Sequence, residues 1–185
     1  EFSKLPGIGR KSAARIAFYI LDMENEELER FSSILKEAKQ KIKKCKICGN
    51  LTEEDICEIC SDDERDKKII CIVKDPRDII AFEKSKTFNG LYHVLGGIID
   101  PLNGVTVDDL DIGKLENRLT SDIKEVILAL DPSLEGETTS LYLSRIIKEK
   151  NIKVSRIASG IPMGGNIEFS DIATLSRSLE GRKEI

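Results

Sequence analysis

The sequence predicts an α/β protein with a small all-α region and a compact zinc subdomain ahead of the main sheet. Three observations predict it. From Ile69 onward, short apolar runs alternate with stretches of helical periodicity, as the strands and crossover helices of a parallel sheet do. Before them, Cys45-Lys46-Ile47-Cys48 and Cys57-Glu58-Ile59-Cys60 form two C-x2-C pairs separated by eight residues. The stretch before the cysteines shows only helical spacing, interrupted at Leu5-Pro6-Gly7-Ile8-Gly9.

A chain of 185 residues, 40% hydrophobic and 34% charged, suffices for one good core with small satellites. No apolar run approaches the ~20 residues of a membrane span, and no signal peptide is visible. The net charge of -4 argues against a general nucleic-acid binder, but it is unevenly spread. Residues 1–50 hold eleven Lys and Arg against seven Asp and Glu, whereas Glu53 to Asp66 holds eight acids and one base. A basic face on an acidic protein still binds phosphate. The chain opens at Glu1-Phe2 without a methionine, so a processed or shortened start is expected.

Pro6 ends a first helical stretch, and Gly7 and Gly9 permit backbone conformations closed to other residues. Ala13, Ile16, Ala17, Ile20 and Leu21 then repeat at helical spacing, which puts Gly7-Ile8-Gly9 at a helix N-terminus. Its free N–H groups, with Arg10, Lys11 and Arg15 beside them, suit a phosphate oxygen. The pattern resembles the helix-hairpin-helix module, which grips the DNA backbone without reading bases. The alternative is a plain helix–helix turn with a solvated basic face. A second helix is expected over about Glu26 to Ile42, with Leu28, Phe31, Leu35, Ala38 and Ile42 on one side. Its trailing lysines, Lys39, Lys41, Lys43, Lys44 and Lys46, complement the helix dipole or contact phosphate, and both readings stand.

Cys45, Cys48, Cys57 and Cys60 supply four sulfurs from two tight turns, the ligand set of a closed structural zinc site. One zinc ion per chain is expected, with no position open to water and therefore no catalysis at the metal. Two disulfides would need an oxidising compartment, and a redox C-x-x-C usually stands alone. Cys71, within an apolar run, reads as a buried, inert thiol.

The sheet region reads as strand Ile69–Val73, helix through Ile79, Ile80 and Phe82, strand Leu91–Leu95, helix Ile112–Leu119, strand Val126–Leu130, helix Thr138–Lys150 and strand Val154–Ala158. Asp75 and Pro76 look like an N-cap and first helical position. A capped amphipathic helix, Ser170–Leu179, closes the chain. Such sheets bind ligands beyond the C-terminal ends of their strands. There Asp75, Asp78, Asp131, Glu135 and Glu137 could hold magnesium, or Asp75 caps its helix and the glutamates stabilise the start of the next. No G-x4-G-K-S/T sequence is present, so a P-loop nucleotidase is not indicated. His93, the only histidine, reads as a packed, hydrogen-bonded strand residue.

Hairpin, four cysteines and alternating sheet, in that order, resemble the RecR family of bacterial recombination mediators over essentially the whole chain. Leu5-Pro6-Gly7-Ile8-Gly9, the cysteine quartet, Asp75-Pro76-Arg77-Asp78, Leu91 to Gly97 and Glu135-Gly136-Glu137 carry the resemblance. Arg156 to Gly160, Met163-Gly164-Gly165 and Leu179 to Arg182 extend it. It implies a helix-hairpin-helix DNA-binding region over 1–44, a four-cysteine zinc finger over 45–60, a Toprim domain (a Rossmann-like parallel sheet) over 67–160 and a C-terminal assembly segment over 161–185. Toprim enzymes carry a glutamate after the first strand and a D-x-D after a later one. This sequence has Lys74 at the first position and Asp131-Pro132-Ser133 at the second. A lysine there repels a magnesium ion by several kcal/mol at low effective dielectric.

The resemblance thus implies a non-enzymatic, DNA-binding mediator of recombinational DNA repair, cytoplasmic and nucleoid-associated, acting with RecO and RecF to load RecA on gapped single-stranded DNA. Lys4, Gly7, Gly9, Arg10, Lys11 and Arg15 are the positions it places at DNA, whether single-stranded, gapped or double-stranded. Asp131, Glu135 and Glu137 are the expected contact for a basic partner. A ring-like homo-oligomer joined through the hairpin region and the C-terminal part is implied, with a dimer rather than a closed tetramer if an N-terminal helix is missing. A magnesium-dependent Toprim enzyme acting on phosphodiesters and a pure protein-interaction scaffold are the alternatives. The acidic stretch between the cysteine pairs casts the zinc knot as a rigid joint and not as a phosphate reader.

Overall fold

The computed structural model describes residues 1–182 and Glu184. The chain divides into two compact units, Glu1–Lys43 and Lys44–Ile185. In the first, a 3-10 turn (Phe2–Lys4) precedes α1 (Arg10–Leu21) and α2 (Asn25–Lys41). Both helices are amphipathic, yet no residue of this unit is buried. Phe18, Tyr19, Leu21, Ile34 and Leu35 all stand more than half exposed.

A two-stranded ribbon, β1 (Lys43–Lys44) and β2 (Leu51–Thr52), begins at the boundary, and the one-turn helix α3 (Glu58–Ser61) follows it in the second unit. Then come β3 (Asp66–Val73), α4 (Pro76–Ser85), β4 (Gly90–Val94), α5 (Ile112–Arg118), β5 (Glu125–Ala129), α6 (Leu134–Lys148), β6 (Lys153–Arg156) and α7 (Ile172–Glu180). The main sheet has the order β4-β3-β5-β6 and every pair is parallel. The predicted α/β class is therefore the observed one.

Parallel sheets are covered on both faces, which is why their central strands read as unbroken apolar runs. In β3, Ile70 and Ile72 face one core with Leu115, Val126, Leu128, Leu143 and Ile147. Cys71 and Val73 face a second core with Ile79, Tyr92, Val94 and Ala129. Sequence and structure differ mainly at element starts. The strand β3 extends back to Asp66 through Lys67 and Lys68, whose exposed side chains carry no apolar signal. Helix α6 starts at Leu134, not Thr138, because Ser133 caps it by accepting the Gly136 N–H at 3.1 Å. Helix α7 starts at Ile172, because Asp171 is its cap and Ser170 ends a preceding 3-10 turn.

The edge strand β4 is closed by side chains and by the cysteine loop. Gly90, Tyr92 and Val94 share a parity and turn their free backbone groups to the same side. The Val94 N–H donates to the Cys48 carbonyl at 2.7 Å, and Arg118 donates to the Tyr92 carbonyl at 2.6 Å. Arg65 reaches the Gly90 carbonyl weakly, at 3.5 Å, while holding Glu83 in an ion pair.

Candidate metal centre and nucleic-acid interface

The sulfurs of Cys45, Cys48, Cys57 and Cys60 all lie within 4.8 Å of one another, and Cys48 and Cys57 are 3.6 Å apart. That is the spacing of tetrahedral ligands at about 2.3 Å from a common ion. Backbone N–H groups donate to them: Asn50 to the Cys48 sulfur at 3.4 Å and Cys57 to the Cys45 sulfur at 3.3 Å. Such donors favour thiolates over thiols. Without a cation, however, the sulfurs do not all ionise: Cys57 is pushed down, first by its hydrogen bond with Cys48 and then by that with Cys60, at the others' expense. Cys48 is pushed up to about 12, first by the hydrogen bond with Cys57. Cys60 is pushed up as well, by Cys48 first, then by Cys57 and burial. A divalent ion reverses this, since a coordinating thiol gives up its proton. The four residues fit one structural zinc ion, with no ligand position left for chemistry.

The first cysteine turn needs Gly49. Its φ of +79° is left-handed, and a Cβ there would stand 3.2 Å from Val94 Cβ and 3.3 Å from the Val94 carbonyl. Ile59 packs against both the cysteine cluster and the second sheet core. The knot is thus anchored directly to the sheet. Gly49→Ala should cost about 1–3 kcal/mol through backbone strain and crowding. Thermal melting of the zinc-loaded variant checks this, and an unchanged midpoint would refute the requirement. Beside the knot, Glu53, Glu54 and Glu58 line a groove of about 560 Å³, an unsuitable wall for phosphate.

In the N-terminal unit, α1 starts without a side-chain cap. The N–H groups of Arg10, Lys11 and Ser12 precede its first bond, from Ala13 N to the Gly9 carbonyl at 2.9 Å. Arg10, Lys11 and Arg15 are exposed and form no ion pair among the described residues. Lys4 is paired with Glu1 at 2.7 Å, and both side chains are exposed. Gly7 uses the freedom of its missing side chain and has a left-handed backbone, φ +78°. Gly9 does not: its φ of −74° suits any residue, and a Cβ there would meet nothing within 4 Å. Its lack of a side chain leaves the helix end open, which is a matter of access and not of conformation. Of the lysine run, Lys41 pairs with Glu37 at 2.8 Å and Lys46 with Asp55 at 2.6 Å.

At the C-terminal ends of the sheet strands, the acids are engaged within the chain. Asp75 accepts from Arg77 N at 2.7 Å, and Asp78 accepts from Lys74 N and Asp75 N at 3.1 and 3.0 Å, a reciprocal capping box on α4. Asp131 holds the Lys74 ammonium at 2.9 Å, a consequence of β3 and β5 being neighbours. Glu137 pairs with Arg156 and, at 3.4 Å, with Arg177 of α7. Glu135 is half-buried and forms no ion pair among the described residues. The only close group of potential metal ligands found among the described residues is the cysteine quartet.

His93 is buried, with Nε2 3.0 Å from the Asp111 carbonyl and Nδ1 3.2 Å from the Arg118 guanidinium. Arginine only donates, so Nδ1 accepts and Nε2–H donates to Asp111. Burial first, then Arg118, push His93 down to about 4. Burial pushes Cys71 up to about 12, as befits an inert thiol. Sequence reasoning did not find Gly49 or Arg118. A glycine directly after a cysteine pair could have flagged the first, whereas nothing local flags the second.

Comparison with known families accounts for the same order of parts. Residues 1–39 match the RecR helix-hairpin-helix family and residues 42–62 match the RecR four-cysteine zinc-finger domain. Residues 68–158 match the Toprim domain and residues 160–183 match the RecR C-terminal family. No helix among the described residues is long and apolar enough to cross a membrane. Four consecutive matches in this order, with the cysteine cluster and parallel sheet where they require them, place the chain in the RecR family.

Proposed function

We propose that the chain is a non-catalytic DNA-binding mediator of recombinational repair that grips the phosphate backbone through the start of α1. The observation that carries this reading is the uncapped N-terminus of α1, with exposed Arg10, Lys11 and Arg15 around it and Gly7 and Gly9 leaving it accessible. Lys4 joins this surface once its exposed pair with Glu1 exchanges. The non-catalytic part rests on Lys74. The cation that Asp131 holds is the chain's own ammonium, where Toprim chemistry would need a metal ion.

Lys11→Ala combined with Arg15→Ala should weaken binding to single-stranded and gapped DNA of any sequence alike. The salt dependence should flatten by about 1.4–1.8 in log–log slope, for two lost phosphate contacts. Fluorescence-anisotropy titrations from low to physiological salt measure both, and an unchanged affinity would remove the hairpin from the interface.

The acid set at the strand ends is the proposed contact for a basic partner, RecO or RecF, in loading RecA. Glu135 is its available member, since Asp131 and Glu137 already hold Lys74, Arg156 and Arg177. Co-sedimentation with each partner, comparing the parent chain with Glu135→Gln, tests it; equal binding excludes Glu135. Self-association is supported by the uncovered apolar surface of α1 and α2. A molar mass in solution equal to one chain would exclude it. A cytoplasmic, nucleoid-associated location follows from this function.

A further inference from the structure

We propose that Arg118 supplies the counter-charge to the zinc–tetrathiolate centre from the sheet side, holding zinc in place although it is not a ligand. The proposal rests on the zinc reading of the cysteine cluster. One zinc ion with four thiolates carries a net charge of −2, and the protein buries three of the four cysteines. A buried net charge is costly unless an opposite charge stands near it.

Arg118 ends α5 and turns its guanidinium onto the edge of β4. Nη1 donates to the Tyr92 carbonyl at 2.6 Å and to His93 Nδ1 at 3.2 Å, both uncharged acceptors. The next residue, Val94, donates its N–H to the Cys48 carbonyl at 2.7 Å. The guanidinium is therefore fixed on Tyr92 and His93, directly beside Val94, the residue of β4 against which the first cysteine turn docks. Its Nη2 is buried and has no hydrogen-bond partner. None of the carboxylates among the described residues forms an ion pair with it. Arginine cannot escape the cost of burial by giving up its proton.

Burial pushes Arg118 down from its ordinary value, and the groups that oppose this by favouring its charged form are the four cysteines, Cys60, Cys48, Cys45 and Cys57. A guanidinium buried without a carboxylate and a metal centre buried with excess negative charge are each unfavourable alone. Docked on adjacent residues of β4, each offsets the other's charge. His93 has a part in this as well. Its neutral form, with Nδ1 as acceptor, is the only one that lets Arg118 approach, so a depressed histidine and an unpaired arginine are one arrangement.

Groups that surround a metal's ligands typically change affinity 10–100-fold when removed. Arg118→Met keeps an unbranched apolar stem and removes the charge, whereas Arg118→Lys keeps the charge. Zinc transfer from each folded, zinc-loaded protein to excess colorimetric chelator gives the rate of loss, with zinc content per chain determined beforehand. Arg118→Met is expected to lose zinc at least ten times faster than the parent chain, and Arg118→Lys within about threefold of it. Loss from Arg118→Met at the parent rate would overturn the proposal. So would equal acceleration in both variants, since only the hydrogen bonds to Tyr92 and His93 would then matter. If Arg118→Met does not fold, Arg118→Lys decides alone: retention at near the parent rate supports the charge role and tenfold faster loss refutes it. A parent chain that purifies and refolds without zinc would instead overturn the zinc reading itself.

Discussion

Stripping the zinc should destabilise the whole sheet unit and not merely free one loop. Structural zinc in small Cys sites is worth about 10–16 kcal/mol of apparent folding free energy, comparable with the entire stability of many domains. Here the cluster is tied to the sheet by the Cys48 carbonyl, Gly49 against Val94, and Ile59 packed into the second core. A strong chelator, or Cys57→Ser, should therefore lower the melting midpoint of the sheet and remove hydrogen-exchange protection from the Val94 amide. That amide is the specific reporter, because its acceptor belongs to the cysteine turn. A metal-free protein with the parent midpoint and a protected Val94 would show that the knot and the sheet fold independently.

The second large effect is acid sensitivity through His93. Its imidazole sits near 4 in the folded protein, against about 6.5 when unfolded. The unfolded chain thus binds a proton that the folded chain refuses between those values. The associated stability is present above pH 6.5 and is lost as pH falls toward 4, up to about 3 kcal/mol in all. About 1 kcal/mol of it should go between pH 7 and 5.5, where denaturant titrations of parent and His93→Gln can be compared. The variant, with no ionisable group at this position, should show a flatter pH dependence. As the chain holds one histidine, its NMR ring signals offer a direct check. They should keep neutral-imidazole positions down to pH 5.5, and a midpoint near 6.5 would refute the depressed value.

How legible these features were depends on whether their physical signal is local. The cysteine quartet was plain, because the two ligands of each pair share one turn and so lie close in sequence. The apolar run of β3 was equally plain, because a strand buried on both faces cannot be polar. Lys74 and Asp131 lie 57 positions apart, and only the adjacency of β3 and β5 makes them a pair. Gly7 and Gly9 offer the same conformational freedom in sequence, yet of the two only Gly7 uses a left-handed backbone. The start of α6 was hidden because Glu135-Gly136-Glu137 carries no apolar repeat, although Ser133 is a good cap. Arg118 gave no sign at all. It reads as one more exposed cation on a short helix until the fold brings it to β4.

The closed edge of β4 has a consequence for the protein in a metal-poor cell. Unpaired strand edges are templates for another chain, and proteins guard them with charges or coverings. Here the guard is partly inorganic: the Cys48 carbonyl that occupies the Val94 N–H is held in place by a metal-dependent turn. Loss of zinc frees the Val94 N–H of an edge strand that carries Tyr92 and Val94, both of high β-propensity. Zinc starvation is then a solubility problem before it is a functional one. The first product expected of it is an aggregate built strand to strand from β4.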